Sequence, residues 1–155
     1  MLALKDWGER LIKTIKVMLI PSNKQRGKMF QYANANRYIY NWTLEQQKLN
    51  YDNGGKFISD GDLRKKLTKL KKTEDYKWLN SISNNVTKQS VKDACDSYKR
   101  FFKGLSQFPK FKSKKKTRLS FYQDNIKIKF TNTHVKFEGF ASSKKKINKN
   151  LIGLD

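Results

Sequence analysis

The residues that could break or make bonds are few in this sequence, and none of them has company. His134 is the one histidine. It has no acidic or cysteine partner nearby in sequence and reads as a solvated strand residue rather than a general base. Cys95, the one cysteine, falls on the apolar stripe of a helix, where a small core residue is a better fit than a nucleophile. A lone cysteine also excludes an internal disulfide and a multi-cysteine zinc site. Asp60, Asp62, Glu74, Asp75, Asp93 and Asp96 share no metal-ligand spacing and read as helix caps and surface charges. No glycine-rich phosphate loop is present.

The cations carry the signal instead. Lys110, Lys112, Lys114, Lys115, Lys116 and Arg118 lie in the strip Phe108–Arg118 with the rings of Phe108 and Phe111, and no acid interrupts them. Pro109 lacks an N–H and biases its neighbours away from helix, so the strip is expected to run extended. Cations along such a strip can meet phosphates while rings stack on bases; the alternative is a solvated lysine linker. Lys65, Lys66, Lys69, Lys71 and Lys72 form a second cluster, and Lys144, Lys145, Lys146 and Lys149 a third. Arg26, Lys28 and Arg37 complete a candidate track, and Trp42, off the apolar stripe of its helix, is a further stacking candidate. Cation–phosphate contacts are blind to base sequence, so the pattern specifies a polyanion without saying which one.

Bulk properties lean the same way. The formal charge is +22 over 155 residues, from 35 Lys+Arg against 13 Asp+Glu. Self-repulsion on that scale opposes compaction unless a polyanion or counterions offset it. Aromatic residues make up 13% of the chain, too many for a disordered basic tail. There is no long apolar run and no basic amphipathic anchor to suggest a membrane partner. Met1-Leu2-Ala3-Leu4 is followed at once by Lys5 and Asp6, which is no secretory signal, so the cytoplasm is the expected compartment.

The elements that must position these cations are α+β in order. Lys13–Ile20 alternates, with Ile15, Val17 and Leu19 on one face, and predicts a half-buried strand stopped by Pro21. Ser22-Asn23-Lys24-Gln25 matches a capping box and predicts a long helix to about Tyr51, ended by Asn53-Gly54-Gly55. Its expected stripe is Phe30, Ala33, Arg37, Tyr40, Leu44 and Tyr51. A shorter helix after Ser59 presents Leu63, Leu67 and Leu70, and an apolar connector of Tyr76, Trp78, Leu79 and Ile82 is expected to plug the gap between helices. Ser83 or Asn84 caps a third helix with the stripe Val91, Ala94, Cys95, Tyr98, Phe101, Phe102 and Leu105. Three short strands are expected after the strip, carrying Leu119 and Phe121, then Ile126, Ile128 and Phe130, then Val135 and Phe137. Three such strands need a further partner. The strand at 13–20 is the candidate, which makes the helices an insertion of about three within one small antiparallel sheet or partial barrel. Residues 141–150 are expected to be a mobile polar tail.

At this level the chain resembles a known family. Lys13-Thr14-Ile15-Lys16-Val17-Met18-Leu19-Ile20-Pro21 resembles the opening strand of the TnpB (OrfB) proteins of bacterial insertion sequences. Arg37-Tyr38-Ile39-Tyr40-Asn41-Trp42 resembles their helix motif. Leu63–Lys71, Trp78-Leu79 and Phe108–Lys114 keep the family's order and approximate spacing, so the resemblance runs from about 13 to 140. It implies a helix-turn-helix transposase domain of proteins akin to compact type V CRISPR effectors, which are RNA-guided DNA nucleases. Their parts are a β-barrel wedge domain, a helical recognition insertion and a RuvC-like nuclease domain using magnesium, with structural zinc. On that resemblance residues 1–20 hold a lead and the first wedge strand, 21–107 a recognition-like insertion, 108–140 the basic strip and wedge meander, and 141–155 a lysine-rich tail. The implied partners are guide RNA and target DNA. Ile152-Gly153-Leu154-Asp155 resembles the start of the nuclease domain, with Asp155 its first metal-binding aspartate. The family's later carboxylates and cysteine pairs are not present, and one carboxylate cannot hold the metals that cleavage needs. The expectation is therefore a nucleic-acid-binding part without a nuclease site or cofactor of its own. A small helix-turn-helix repressor and a non-specific RNA-binding protein are the alternatives, and the sequence does not set an oligomeric state.

Overall fold

The computed structural model describes residues 16–147. The first strand, β1 (Val17–Ile20), buries Val17 and Leu19 partly and turns Met18 and Ile20 outward, as the alternation requires. Residues 13–15 of the expected strand, Ile15 included, lie outside the described residues. Pro21 ends the strand and Ser22 opens helix α1 (Asn23–Asp52). The capping box forms as read: the Gln25 amide N–H donates to Ser22 Oγ at 3.3 Å, and the Ser22 N–H donates to Gln25 Oε1 at 2.8 Å. Asn53 caps the far end and Gly54, at φ +76°, turns the chain where a side chain would be strained.

Helix α2 (Asp60–Leu70) begins at Ser59, whose hydroxyl accepts the Asp62 N–H. A 3₁₀ segment, Glu74–Ser81, follows and leads to helix α3 (Asn84–Phe102). Ser83 is the cap of α3, accepting the Asn85 N–H through its hydroxyl. The core sits among these helices. Tyr32, Ala35, Ile39 and Trp42 of α1 meet Leu63 and Leu67 of α2, Leu79 and Ile82 from the connector, and Val86, Val91 and Cys95 of α3. A second cluster joins Tyr40 and Leu44 to Ala94 and Tyr98. Helix α1 is thus buried on two faces. The expected single stripe is corrected at its ends: Phe30 is 49% and Tyr51 78% exposed, because the bundle reaches neither end of so long a helix. On α3 the stripe holds from Val91 to Tyr98, while Phe102 and Leu105 are exposed.

The sheet differs from expectation in its members. Its order is β1-β4-β3-β2, all antiparallel, with β2 (Lys129–Phe130), β3 (His134–Lys136) and β4 (Ser143–Ile147). It is an open sheet. The strand β1 does join the C-terminal strands across the helical insertion, but through β4, in the stretch expected to be a mobile tail. Val17 lies opposite Ile147 and Ile20 opposite Lys144. Two side-chain bonds bring β4 in: Gln25 Nε2 donates to the carbonyls of Ala141 (3.1 Å) and Ser142 (3.0 Å), so the residue that caps α1 also seats the approach to β4. Residues 119–121 form no strand, and Ile126, 79% exposed, lies in a 3₁₀ turn, Asn125–Lys127, instead of a strand face. The rings of Phe121 and Phe140 lie parallel, 6.1 Å apart, and both meet Tyr32 edge-on, which packs the sheet module onto the start of α1. Gly139, at φ +75°, makes that contact possible, since a Cβ there would stand 2.9 Å from the Tyr32 hydroxyl. No helix among the described residues is long and apolar enough to cross a membrane.

Candidate nucleic-acid interface

Helix α1 presents a row of residues whose job is to hold the basic strip. Asparagine is a poor helix former because its side chain competes for backbone hydrogen bonds. Asn41 turns that tendency outward. Its Oδ1 accepts the Lys112 N–H at 2.8 Å and its Nδ2 donates to the Lys112 carbonyl at 2.9 Å, so the side chain pairs with the strip as a strand neighbour would. Asn36 repeats the move further along, donating to the Ser120 carbonyl at 2.9 Å. Beside Asn41, the Tyr40 ring carries the Lys112 ammonium 3.7 Å from its centroid. Burial of that ammonium pushes the Lys112 pKa below the ordinary lysine value.

The strip is therefore divided. Residues 107–113 have neither helical nor ladder hydrogen bonding, as Pro109 suggests. Lys114–Lys116, expected to continue extended, instead form a turn in which the Thr117 N–H donates to the Ser113 carbonyl at 3.0 Å and the Lys116 N–H to Ser113 Oγ at 3.1 Å. The turn pushes Lys114, Lys115 and Lys116 into solvent, exposed and without a carboxylate partner among the described residues. Lys110 and Arg118 are exposed as well. Arg37 and Arg118 line one narrow crevice with Lys112 and Ser120, which brings the helix-motif arginine to the strip. Lys112 itself faces Tyr40 and is committed to that ring.

Other expected residues are placed differently. Trp42 is 8% exposed and sits in the main core, where its ring offers no face to a base; the two-sided burial of α1 accounts for this. Phe108 meets Tyr98 and Phe101 edge-on at 5.5 and 5.2 Å, so it anchors the strip to the end of α3 while half its surface stays open. Phe111 is 60% exposed. Lys65, Lys66 and Lys69 project from α2, which packs on α3, and share no described cleft with the strip; Lys65 is also paired with Asp62 at 3.2 Å. Asp155 lies outside the described residues.

Three residues have places that the sequence reading did not give them. Asn41 stood in the helix motif without a role, and it turns out to hold the strip. Trp78, expected to plug the core, is 45% exposed and meets Tyr38 edge-on at 5.6 Å over a cleft shared with Arg37, Gln31 and Asn34. Lys71, expected on the solvent side of α2, is buried. Among the described residues no three His, Cys, Asp or Glu side chains converge, and Cys95 is buried alone.

Comparison with known proteins places the sequence among transposon-associated ones. Residues 11–56 match the helix-turn-helix domain model of the OrfB family of IS605. The described part of that range is β1, α1 and the start of the loop to α2. Over 124 residues the chain is 28% identical to the Escherichia coli (strain K12) protein named "Putative RNA-guided DNA endonuclease InsQ", a match covering 80% of this chain and 31% of that protein. Over 112 residues it is 25% identical to a Streptomyces pristinaespiralis protein named "Putative RNA-guided DNA endonuclease", covering 72% of this chain and 28% of that one. The chain thus spans under a third of the length of the curated relatives it matches.

Proposed function

We propose that this chain is a nucleic-acid-binding module, the N-terminal part of a TnpB-like RNA-guided DNA endonuclease, which grips the backbones of guide RNA and target DNA and supplies no cleavage chemistry from its described residues. The observation that carries this reading is the clamp. Asn41 and Tyr40 hold Lys112 in place, the turn that follows thrusts Lys114, Lys115 and Lys116 into solvent, and the chain returns from it to bring Arg118 to Arg37. Holding a row of like charges together costs free energy in the isolated protein, and a polyanion offsets that cost.

The chemistry favours backbone contact over base reading. Helix α1 is buried on two faces, and its middle turns are taken up by the core and by the strip that Asn36 and Asn41 hold. The outer face of α2 offers Lys65, Lys66 and Lys69, compact charges that suit phosphates, and its one arginine, Arg64, is engaged with Asp60 at 2.8 Å. The names of the two relatives support RNA and DNA as the partners. The test is binding of a structured RNA and of single- and double-stranded DNA across a salt series. Replacing Lys114, Lys115 and Lys116 together by Ala should weaken binding and lower the slope of log affinity against log salt by about 2 on single strands, at roughly 0.7 per phosphate released. If the triple variant keeps the parent's affinity and slope, the strip is a solvated linker.

A further inference from the structure

Lys71 is 9% exposed, yet its Nζ has only neutral partners: it donates to Asn84 Oδ1 at 3.1 Å and to Thr87 Oγ1 at 3.3 Å. A buried ammonium is costly unless an opposite charge compensates it. Two acceptors serve two of its three N–H groups, which leaves one donor over. The charge nearest in effect is of the same sign: burial and Lys88 together hold the Lys71 pKa below the ordinary lysine value. Lys71 lines a cleft of about 540 Å³ with Lys72, Lys77, Lys88 and Asn84. Lys77 pairs with Glu74, but Lys71, Lys72 and Lys88 meet no carboxylate among the described residues. Asn84 Oδ1 accepts from Lys71, which leaves its amide N–H₂ as a further donor at the lining of that cleft.

From this geometry we infer that the cleft between the end of α2, the 3₁₀ connector and the start of α3 is a phosphate-binding subsite for one phosphate group of a nucleic-acid strand. Lys71, Lys72, Lys88 and Asn84 line it together and each can donate. A tetrahedral phosphate has enough oxygens to serve them all, whereas a carboxylate has two. The subsite adds a second grip, away from the strip, and its assignment to a nucleic-acid strand rests on the function proposed above. The anion supplies the countercharge that Lys71 lacks, and it binds through oxygens that every nucleotide carries, so the site adds affinity without base preference.

Two measurements test it separately from the module's function. Inorganic phosphate is titrated into the parent protein while the Lys71 Nζ resonance is followed by NMR and assigned with Lys71→Met. Movement of that resonance beyond the response to chloride at matched ionic strength is expected; no movement overturns the site, whatever the protein does with nucleic acid. Salt series are then run for Lys72→Ala/Lys88→Ala, both surface changes that spare the core, and for Lys71→Met, on 5′-phosphorylated and 5′-hydroxyl oligonucleotides. A slope lower than the parent's by about 0.7 on both strands identifies an internal diester, and a loss confined to the phosphorylated strand identifies a terminal monoester. Unchanged affinity and slope on both strands, in a parent that binds them, overturn the subsite and leave the strip's role standing. A parent that binds neither strand refutes the proposed function and the strand assignment with it, and the phosphate titration then decides only whether the cleft takes an anion.

Discussion

Replacing Asn41 by Ala tests whether α1 holds the basic strip. The change removes the two hydrogen bonds to the Lys112 backbone, at 2.8 and 2.9 Å, and touches no core contact. Each such bond contributes about 0.5–1.5 kcal/mol net, so the pair stabilises the native state by about 1–3 kcal/mol. Water can reach the half-buried Lys112 backbone, which places the expected loss toward the lower half of that range. For a chain of this size, each kcal/mol lowers Tm by about 2–4 °C. The strip should loosen without leaving, because the Lys112–Tyr40 contact contributes about 0.5–2 kcal/mol of its own and Phe108 still meets Tyr98 and Phe101. The assay is thermal unfolding by circular dichroism together with amide hydrogen exchange over residues 108–118. Exchange should rise selectively in that window while α1 and α3 keep their protection. Nucleic-acid affinity should fall as well, since a loose strip must be ordered on binding. If Asn41→Ala leaves both Tm and the exchange of residues 108–118 unchanged, the clamp does not organise the strip.

Trp42→Ala should destabilise the fold by about 3–5 kcal/mol, the usual cost of truncating a large core aromatic, and any loss of binding should track the unfolded fraction; a well-folded variant with selectively lost binding would return Trp42 to the interface. Burial pushes the Cys95 thiol up to about 11 from an ordinary value of 9.0. The unfolded chain therefore loses its proton first as pH rises, so stability is intact below about 9 and falls between about 9 and 11, by at most roughly 2–3 kcal/mol. The buried tyrosines Tyr32 and Tyr98, also raised, lose stability in the same direction. Cys95→Ala should therefore flatten the alkaline decline only in part; chemical denaturation at pH 8 and pH 11 that shows the same decline in parent and variant would place the thiol in contact with solvent.

Local chemistry carried much of this molecule in plain view. The capping box at Ser22–Gln25, the three helices, the stop at Pro21 and the Val91–Tyr98 stripe follow from interactions within a few residues, and these formed as read. Composition alone marked the strong excess of cations. Tertiary structure decided what depended on distant neighbours. Trp42 and Trp78 exchange their expected places because burial of α1 on two faces draws Trp42 inward, while the connector turns Trp78 out toward Tyr38. Lys71 is inside because the end of α2 abuts the start of α3, which a helical wheel for α2 alone cannot show. The strand β4 was invisible because Ser143-Lys144-Lys145-Lys146-Ile147 has no apolar alternation. It is held by backbone pairing with β1 and β3, and by Gln25 from more than a hundred residues away. A strand defined by its partners' hydrogen bonds leaves little trace in its own side chains.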